Sequence, residues 1–252
     1  MRICTFQIPM APDISSNVET ISRCLSLAAE TGGDIAVLPE MAVVGYDSHL
    51  HGLFQREDWY YEVLEGLGTL AAESQRLGLM TLVGTPFRQD GGYQNAIVLL
   101  GSDGSIQYAG GRKIWSEGWR KYGFSVPERK DPVQLGGYAF GFVVCSEVST
   151  LEQLEGTGIE KSDVVIWPSV TSNHFNSPEW GTRDNCRLGG VAIAKKFNTP
   201  VLQSSYSTYV RGSEETVKLG GIVIVDSDGT ILDQAPYDGE AFLAYDLDQS
   251  TT

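Results

Sequence analysis

Apolar positions along this chain alternate between two spacings. Short apolar blocks, or apolar residues two apart, predict strands; recurrence three and four apart predicts helices. RICTFQI at the N-terminus is a β-rich run. In SSNVETISRCLSLAAETGG, residues Val18, Ile21, Cys24, Leu25 and Ala28 share one helical face, with a Ser or Asn as cap and Gly32-Gly33 as the stop. DIAVLPE reads as a short, fully buried strand, and DWYYEVLEGLGTLAAESQRLG as a second amphipathic helix ended by Gly78. LMTLVGTPFR and YQNAIVLLGSDG follow as strands, and GSIQYAGG leads into a lysine-bearing segment.

Residues 116–137 read as loop, with Gly118, Gly123, Pro127 and Pro132. YAFGFVVC and DVVIWPSV are strands on either side of STLEQLEGTGIEKS, a helical stretch broken by glycines. SPEWGTRDNCRLGGVAIAKKFN reads as a helix opened by Ser177-Pro178. TPVLQSSY is a strand, GGIVIVDSDGTILDQA a hairpin around Asp226–Gly229, and AFLAYDLD the closing strand. Strands alternating with helices place helices on sheet faces, and strand–helix–strand recurs after residue 140. No linker or low-complexity stretch divides the chain, so a single domain over 1–252 is expected.

Composition narrows the function classes. The 252 residues are 42% hydrophobic and 20% charged, as in ordinary globular proteins. A net charge of −14 argues against nucleic acid and anionic membranes as partners. No run reaches the roughly 18 apolar residues of a membrane span, and no signal peptide is read in the first residues. Cys4, Cys24, Cys145 and Cys186 form no C-x-x-C pair and fit reduced thiols of a cytoplasmic protein. The three histidines are too scattered for a zinc site, and no metal is expected.

Three segments end in chemically loaded residues: Glu40 in DIAVLPEMAVVGY, Lys113 in GGRKIW and Cys145 in GYAFGFVVCSEV. Each alone is also compatible with an ordinary loop carboxylate, surface lysine or core cysteine. Together they supply a base near low-dielectric surroundings, a cation and a nucleophile at a strand-to-turn junction.

Pro39-Glu40…Gly45-Tyr46, then Arg112-Lys113-Ile114-Trp115, then Cys145-Ser146-Glu147 resemble the ordered signatures of the nitrilase, or carbon–nitrogen hydrolase, superfamily. The likeness extends through DVVIWPSV, AIAKKFNTPVLQSS and the late hairpin. It implies an α/β fold, a four-layer α-β-β-α sandwich of two stacked sheets covered by helices, assembled as a homodimer or higher homo-oligomer. It implies Glu40 as general base, Cys145 as nucleophile, and Lys113 with the Ser146 N–H as oxyanion stabilisers, with no cofactor. A further active-site glutamate is assigned to Glu117, with Glu128 as the alternative. Tyr46, Ser146, Trp115 and Trp167 are expected to bind substrate, and Trp119 to help wall the pocket. Ser146 stands where the superfamily usually has an aromatic residue, which implies a more open or more polar pocket.

The implied reaction is hydrolysis of a small amide through a cysteine thioester, of the amidase, omega-amidase or carbamoylase type. Nitrile hydrolysis and acyl transfer are the alternatives within the superfamily. A non-catalytic binding or assembly relative is the alternative of another class.

Overall fold

A computed structural model of the chain describes residues 1–46, 49–89, 91–114, 117–170, 185–211, 215–218 and 220–247, without the side chains of 49, 117, 118, 185, 209–211 and 215–218. The strands are β1 (Arg2–Pro9), β2 (Ile35–Val37), β3 (Met80–Gln89), β4 (Gly92–Leu100), β5 (Ile106–Gly111), β6 (Val133–Leu135) and β7 (Tyr138–Phe142). They continue as β8 (Val164–Pro168), β9 (Val201–Arg211), β10 (Glu215–Lys218), β11 (Val223–Val225), β12 (Ile231–Gln234) and β13 (Ala241–Asp246). The helices are α1 (Ile14–Glu30), α2 (His49–Leu53), α3 (Trp59–Leu77) and α4 (Asn185–Phe197), and short 3₁₀ turns cover Glu117–Tyr122, Cys145–Leu154 and Ile159–Lys161.

The hydrogen-bonded strand order is β5-β4-β3-β2-β1-β9-β8-β7-β6. The long strand β9 joins two halves. Its start, Val201–Ser204, runs parallel to Val165–Pro168, and its continuation pairs in parallel with Gln7–Pro9. Strand β13 lies antiparallel along β1, from Arg2↔Asp246 to Gln7↔Ala241.

The period-two alternation of the strands builds the layers. Ile35 and Val37 of β2 enter the same apolar cluster as Phe140, Phe142, Val164 and Ile166, between the half-sheets. Their neighbours Ala36 and Leu38 face Ile21, Leu25, Val63 and Leu67 of α1 and α3. On the far half, Val165 and Trp167 pack with Ile193 and Ala194 of α4. Three apolar clusters thus separate four layers in the order helix, sheet, sheet, helix. Gly189 makes the last contact possible, because a Cβ there would sit 2.2 Å from the Trp167 ring.

The helical periodicities hold, with Ile21, Cys24, Leu25 and Ala28 of the predicted face buried and Gly78 in the left-handed conformation ending α3. The cap of α1 differs from expectation: Asp13, not a Ser or Asn, accepts from the Ser16 amide at 2.8 Å. Residues 116–137 are less irregular than their glycines and prolines suggest. They contain a 3₁₀ turn and β6, which pairs antiparallel with β7. Strand β10, which the pattern did not signal, pairs with β9. The Ser177-Pro178 helix start lies outside the described residues.

Candidate active site

Glu40 follows β2, whose backbone ladder stops at Leu38 N–H→Leu82 O, 2.9 Å. The chain then turns tightly over β3, with Met41 at φ 55° and Gly45 N–H bonded to Met41 O at 2.8 Å. The turn lies so close to β3 that a Cβ on Gly84 would come 2.2 Å from Pro39 O and 2.6 Å from Met41 N. Only glycine fits there without moving backbone. The Tyr206 hydroxyl donates to Glu40 O at 2.9 Å and Ser204 Oγ to Leu38 O at 2.9 Å, fixing the turn from below.

The Glu40 side chain is fully buried. Its Oε1 accepts from Asn95 Nδ2 at 2.7 Å and from Arg112 Nη1 at 3.0 Å. These donors are cross-strand neighbours, since Arg112 N–H continues the β4–β5 ladder onto Asn95 O at 2.9 Å. Oε2 is buried without a conventional hydrogen-bond partner among the described residues. The thiol of Cys145 also interacts with this carboxylate.

Cys145 opens the 3₁₀ turn that follows β7, and its φ of 52° puts a non-glycine residue in the left-handed region. That conformation costs on the order of 1 kcal/mol or more and persists where the surroundings over-determine it. Here Trp167 Nε1 donates to Cys145 O at 3.0 Å, and the preceding Val144 N–H donates to Glu147 Oε2 at 2.7 Å. The residue is half-buried. Burial, reinforced by the adjacent Glu40 charge, pushes its thiol up to about 12, while Arg112 and the Val170 amide pull the other way. At neutral pH the group is therefore a thiol, and attack requires a base.

Glu147, two residues on, is buried and fully used. Its Oε1 accepts from the Lys113 amide at 2.6 Å and the Ile114 amide at 3.2 Å. Its Oε2 takes the Val144 amide and Lys130 Nζ, the latter at 2.7 Å. Lys130 Nζ also donates to Gly111 O at 2.9 Å. One ion pair therefore ties the end of β5 to the nucleophile turn.

The sequence-derived candidates separate. Glu40, Cys145 and Tyr46 come together: the Tyr46 hydroxyl interacts with Glu40, Cys145 and Arg112, and its ring lies 5.9 Å from that of Trp119. Ser146 is exposed beside the nucleophile, and its Oγ accepts from Arg112 Nη2. Lys113 goes elsewhere, its Nζ donating to Pro127 O at 3.3 Å and to Glu128 O. Glu128 is exposed and meets Lys113 through its backbone carbonyl. Trp167 is buried against α4, and its Nε1 donates to Cys145 O. Trp115 and the Glu117 side chain lie outside the described residues.

Asn95, Arg112, Lys130 and Glu147, which surround Glu40 and the Cys145 turn, had no role assigned from the sequence. A cation adjoining Lys113 and a carboxylate two residues beyond Cys145 were the available signals. Among the described residues, no cluster of His, Cys, Asp or Glu forms a metal site, and no helix is long and apolar enough to cross a membrane.

The model of the carbon–nitrogen hydrolase family matches residues 2–252. The chain belongs to the carbon–nitrogen hydrolase family. Among relatives of this hydrolase, one from the pqqF 5′ region of Pseudomonas protegens is 25% identical over 255 residues, covering 99% of this chain and 83% of that protein. A glutamine-dependent NAD(+) synthetase of Thermotoga maritima is 25% identical, covering 98% of this chain but 42% of the synthetase. The chain spans less than half the length of that relative. An amidase from Nesterenkonia sp. AN1, solved with acrylamide added at its active-site cysteine, shares the fold at TM-score 0.81 and 17% identity, over 100% of this chain and 96% of that one.

Proposed function

We propose that this carbon–nitrogen hydrolase cleaves a small primary amide through a thioester on Cys145. The observation that carries the reading is the Cys145 thiol set against a buried Glu40 whose Oε2 has no conventional partner among the described residues. The amide chemistry draws on the relatives: acrylamide and butyramide are bound by the Nesterenkonia amidase, and glutamine, a primary carboxamide, is named for the NAD(+) synthetase.

In the proposed cycle Glu40 takes the thiol proton as Sγ attacks the carbonyl carbon, and the C=O pair moves onto oxygen. The tetrahedral adduct collapses, the C–N bond breaks, and nitrogen leaves as ammonia with the proton from Glu40. Water then attacks the thioester, giving its proton to Glu40. The C–S bond breaks, the acid departs and Sγ recovers its proton. The Ser146 amide lies in the first turn of a helical segment, where helical geometry supplies no acceptor, and is suited to hold the oxyanion.

Intact mass and ammonia release with a panel of primary amides, carbamoyl compounds and nitriles test this. An acyl mass on the wild type that is lost in Cys145→Ala, together with ammonia, is expected. No adduct and no ammonia from any of them would overturn it. Added amines or alcohols separate hydrolysis from acyl transfer.

A further inference from the structure

Lys113 follows β5 and Cys145 follows β7, and these strands stand far apart in the hydrogen-bonded order, with β4, β3, β2, β1, β9 and β8 between them. They meet because the half-sheets stack face to face. Ala109 of β5 lies in one apolar cluster with Phe140 and Phe142 of β7, and a Cβ on Gly110 would come 2.7 Å from the Phe142 ring. Apolar packing is non-directional. It brings the two layers together without setting the offset between an ammonium and a thiol, so that offset needs directional contacts across the gap.

Glu147 supplies them. Its Oε1 accepts the Lys113 and Ile114 amides, just past β5, and its Oε2 accepts the Val144 amide, just before Cys145. Lys130 completes the link. Its Nζ, on a side chain only 2% exposed, donates to Glu147 Oε2 at 2.7 Å and to Gly111 O at 2.9 Å. Its own amide donates to Thr157 O at 2.9 Å, beyond the 3₁₀ segment that Cys145 opens. The same loop presents Pro127 O and Glu128 O to Lys113 Nζ. Lys113 is therefore held at its backbone by Glu147 and at its ammonium by the loop that Lys130 fastens.

A buried ion pair adds little stability over apolar side chains of similar size, because desolvating both charges offsets their attraction. Burial works against the Lys130 charge, and Glu147 opposes that. What the pair supplies is direction. We propose that Lys130 is a positioning residue which, through Glu147 and the 127–128 carbonyls, sets where Lys113 stands relative to Cys145. The inference rests on the thioester reading above, with Lys113 as its cation, and adds the buttress that holds that cation in place.

The test compares Lys130→Met, the double variant Lys130→Met with Glu147→Leu, and Arg129→Ala, each in the full chain. Arg129 adjoins Lys130, but its guanidinium pairs with Asp131 at the surface, at 2.7 Å, and so serves as the control. Three readouts are taken: the unfolding midpoint, kinetics with whichever primary amide the wild type turns over, and the rate of Cys145 alkylation by iodoacetamide, located by peptide mass. Lys130→Met is expected to lower the midpoint, because Glu147 is left buried without its cation. Where it is folded, its kcat is expected to fall about 10–100-fold, with KM within about threefold of the wild type. The double variant is expected to regain most of the midpoint and none of the rate, since the amides of Lys113, Ile114 and Val144 lose their shared acceptor. Arg129→Ala should match the wild type throughout. A folded Lys130→Met with the kcat of the wild type, or a double variant whose rate returns with its stability, would overturn the proposal. Where no amide is turned over the thioester reading falls, and alkylation alone decides. Slowing by about tenfold in both buttress variants but not in Arg129→Ala is then expected, and an unchanged rate overturns the role of Lys130. Should Lys130→Met not fold, the double variant carries the decision.

Discussion

Two buried carboxylates flank the nucleophile, and each is paired with one cation: Glu40 with Arg112 at 3.0 Å, Glu147 with Lys130 at 2.7 Å. They differ in what is left over. Both oxygens of Glu147 are filled, by three backbone amides and an ammonium. Among the described residues Glu40 takes two nitrogen donors, both on Oε1. A carboxylate with every lone pair engaged has no oxygen open to a further partner. Glu40 keeps one buried oxygen without a conventional partner among the described residues, and the Cys145 thiol interacts with its carboxylate. Residue type, burial and charge pairing are shared; saturation of hydrogen bonds separates Glu40 from Glu147.

The sharpest way to break this comparison is to exchange each carboxylate for its amide. Glu40→Gln is expected to lower acylation by about 10²–10⁴-fold, with the protein still folded by circular dichroism. Glu147→Gln is expected to act first on stability, costing about 3–5 kcal/mol in denaturant unfolding because Lys130 is left buried and uncompensated. A stable Glu147→Gln protein, or an active Glu40→Gln one, would dissolve the distinction. Removing both members of the buttress, with Lys130→Met and Glu147→Leu together, should recover much of the stability lost by the single change.

Next in size is Gly84→Ala. The added methyl meets backbone rather than a yielding side chain, so it should cost about 1–3 kcal/mol and lower kcat by displacing Glu40. Loss of stability without loss of rate would show that the Glu40 turn tolerates movement. Asn95→Leu removes one donor from Oε1 at a cost of about 1–3 kcal/mol and should leave the Arg112 pair intact, a smaller effect on rate than Glu40→Gln.

The smallest effect is on the pH dependence of stability. The Cys145 thiol is raised from its ordinary 9.0 to about 12, so the folded protein keeps a proton that the unfolded chain releases. That contribution is complete below pH 9 and is lost as pH climbs towards 12. Unfolding midpoints of the wild type and Cys145→Ala should converge over that window. Parallel curves would place the thiol in a more polar setting.

Much of this architecture was legible in the chain. Blocks such as IAVL and VVIW announce strands buried on both faces, and the helical faces of α1 and α3 follow from spacing. Glu40 and Cys145 were legible because each follows an apolar strand that ends in a turn. The cap of α1 was misread because Asp13, Ser15, Ser16 and Asn17 all have capping side chains, and only backbone geometry chooses among them. The Trp167 hydrogen bond to Cys145 O was not legible, because nothing local in the sequence shows which backbone carbonyl an indole N–H will meet. Asn95 carried no motif at all. It matters because β4 lies beside β5, a pairing no local pattern specifies.

The sequence alone determined the alternation of strands and helices, and it singled out Glu40, Lys113 and Cys145 as the chemically loaded positions. It did not say which neighbouring side chain, Arg112 or Lys113, lies against Glu40. The tertiary structure sets Arg112 on Glu40 and Lys113 Nζ on the carbonyls of Pro127 and Glu128, because neighbouring side chains on an extended chain leave on opposite faces and the ladder to Asn95 determines which face meets Glu40. A single step of register separates the residue that reaches Glu40 from the one that meets the 127–128 carbonyls.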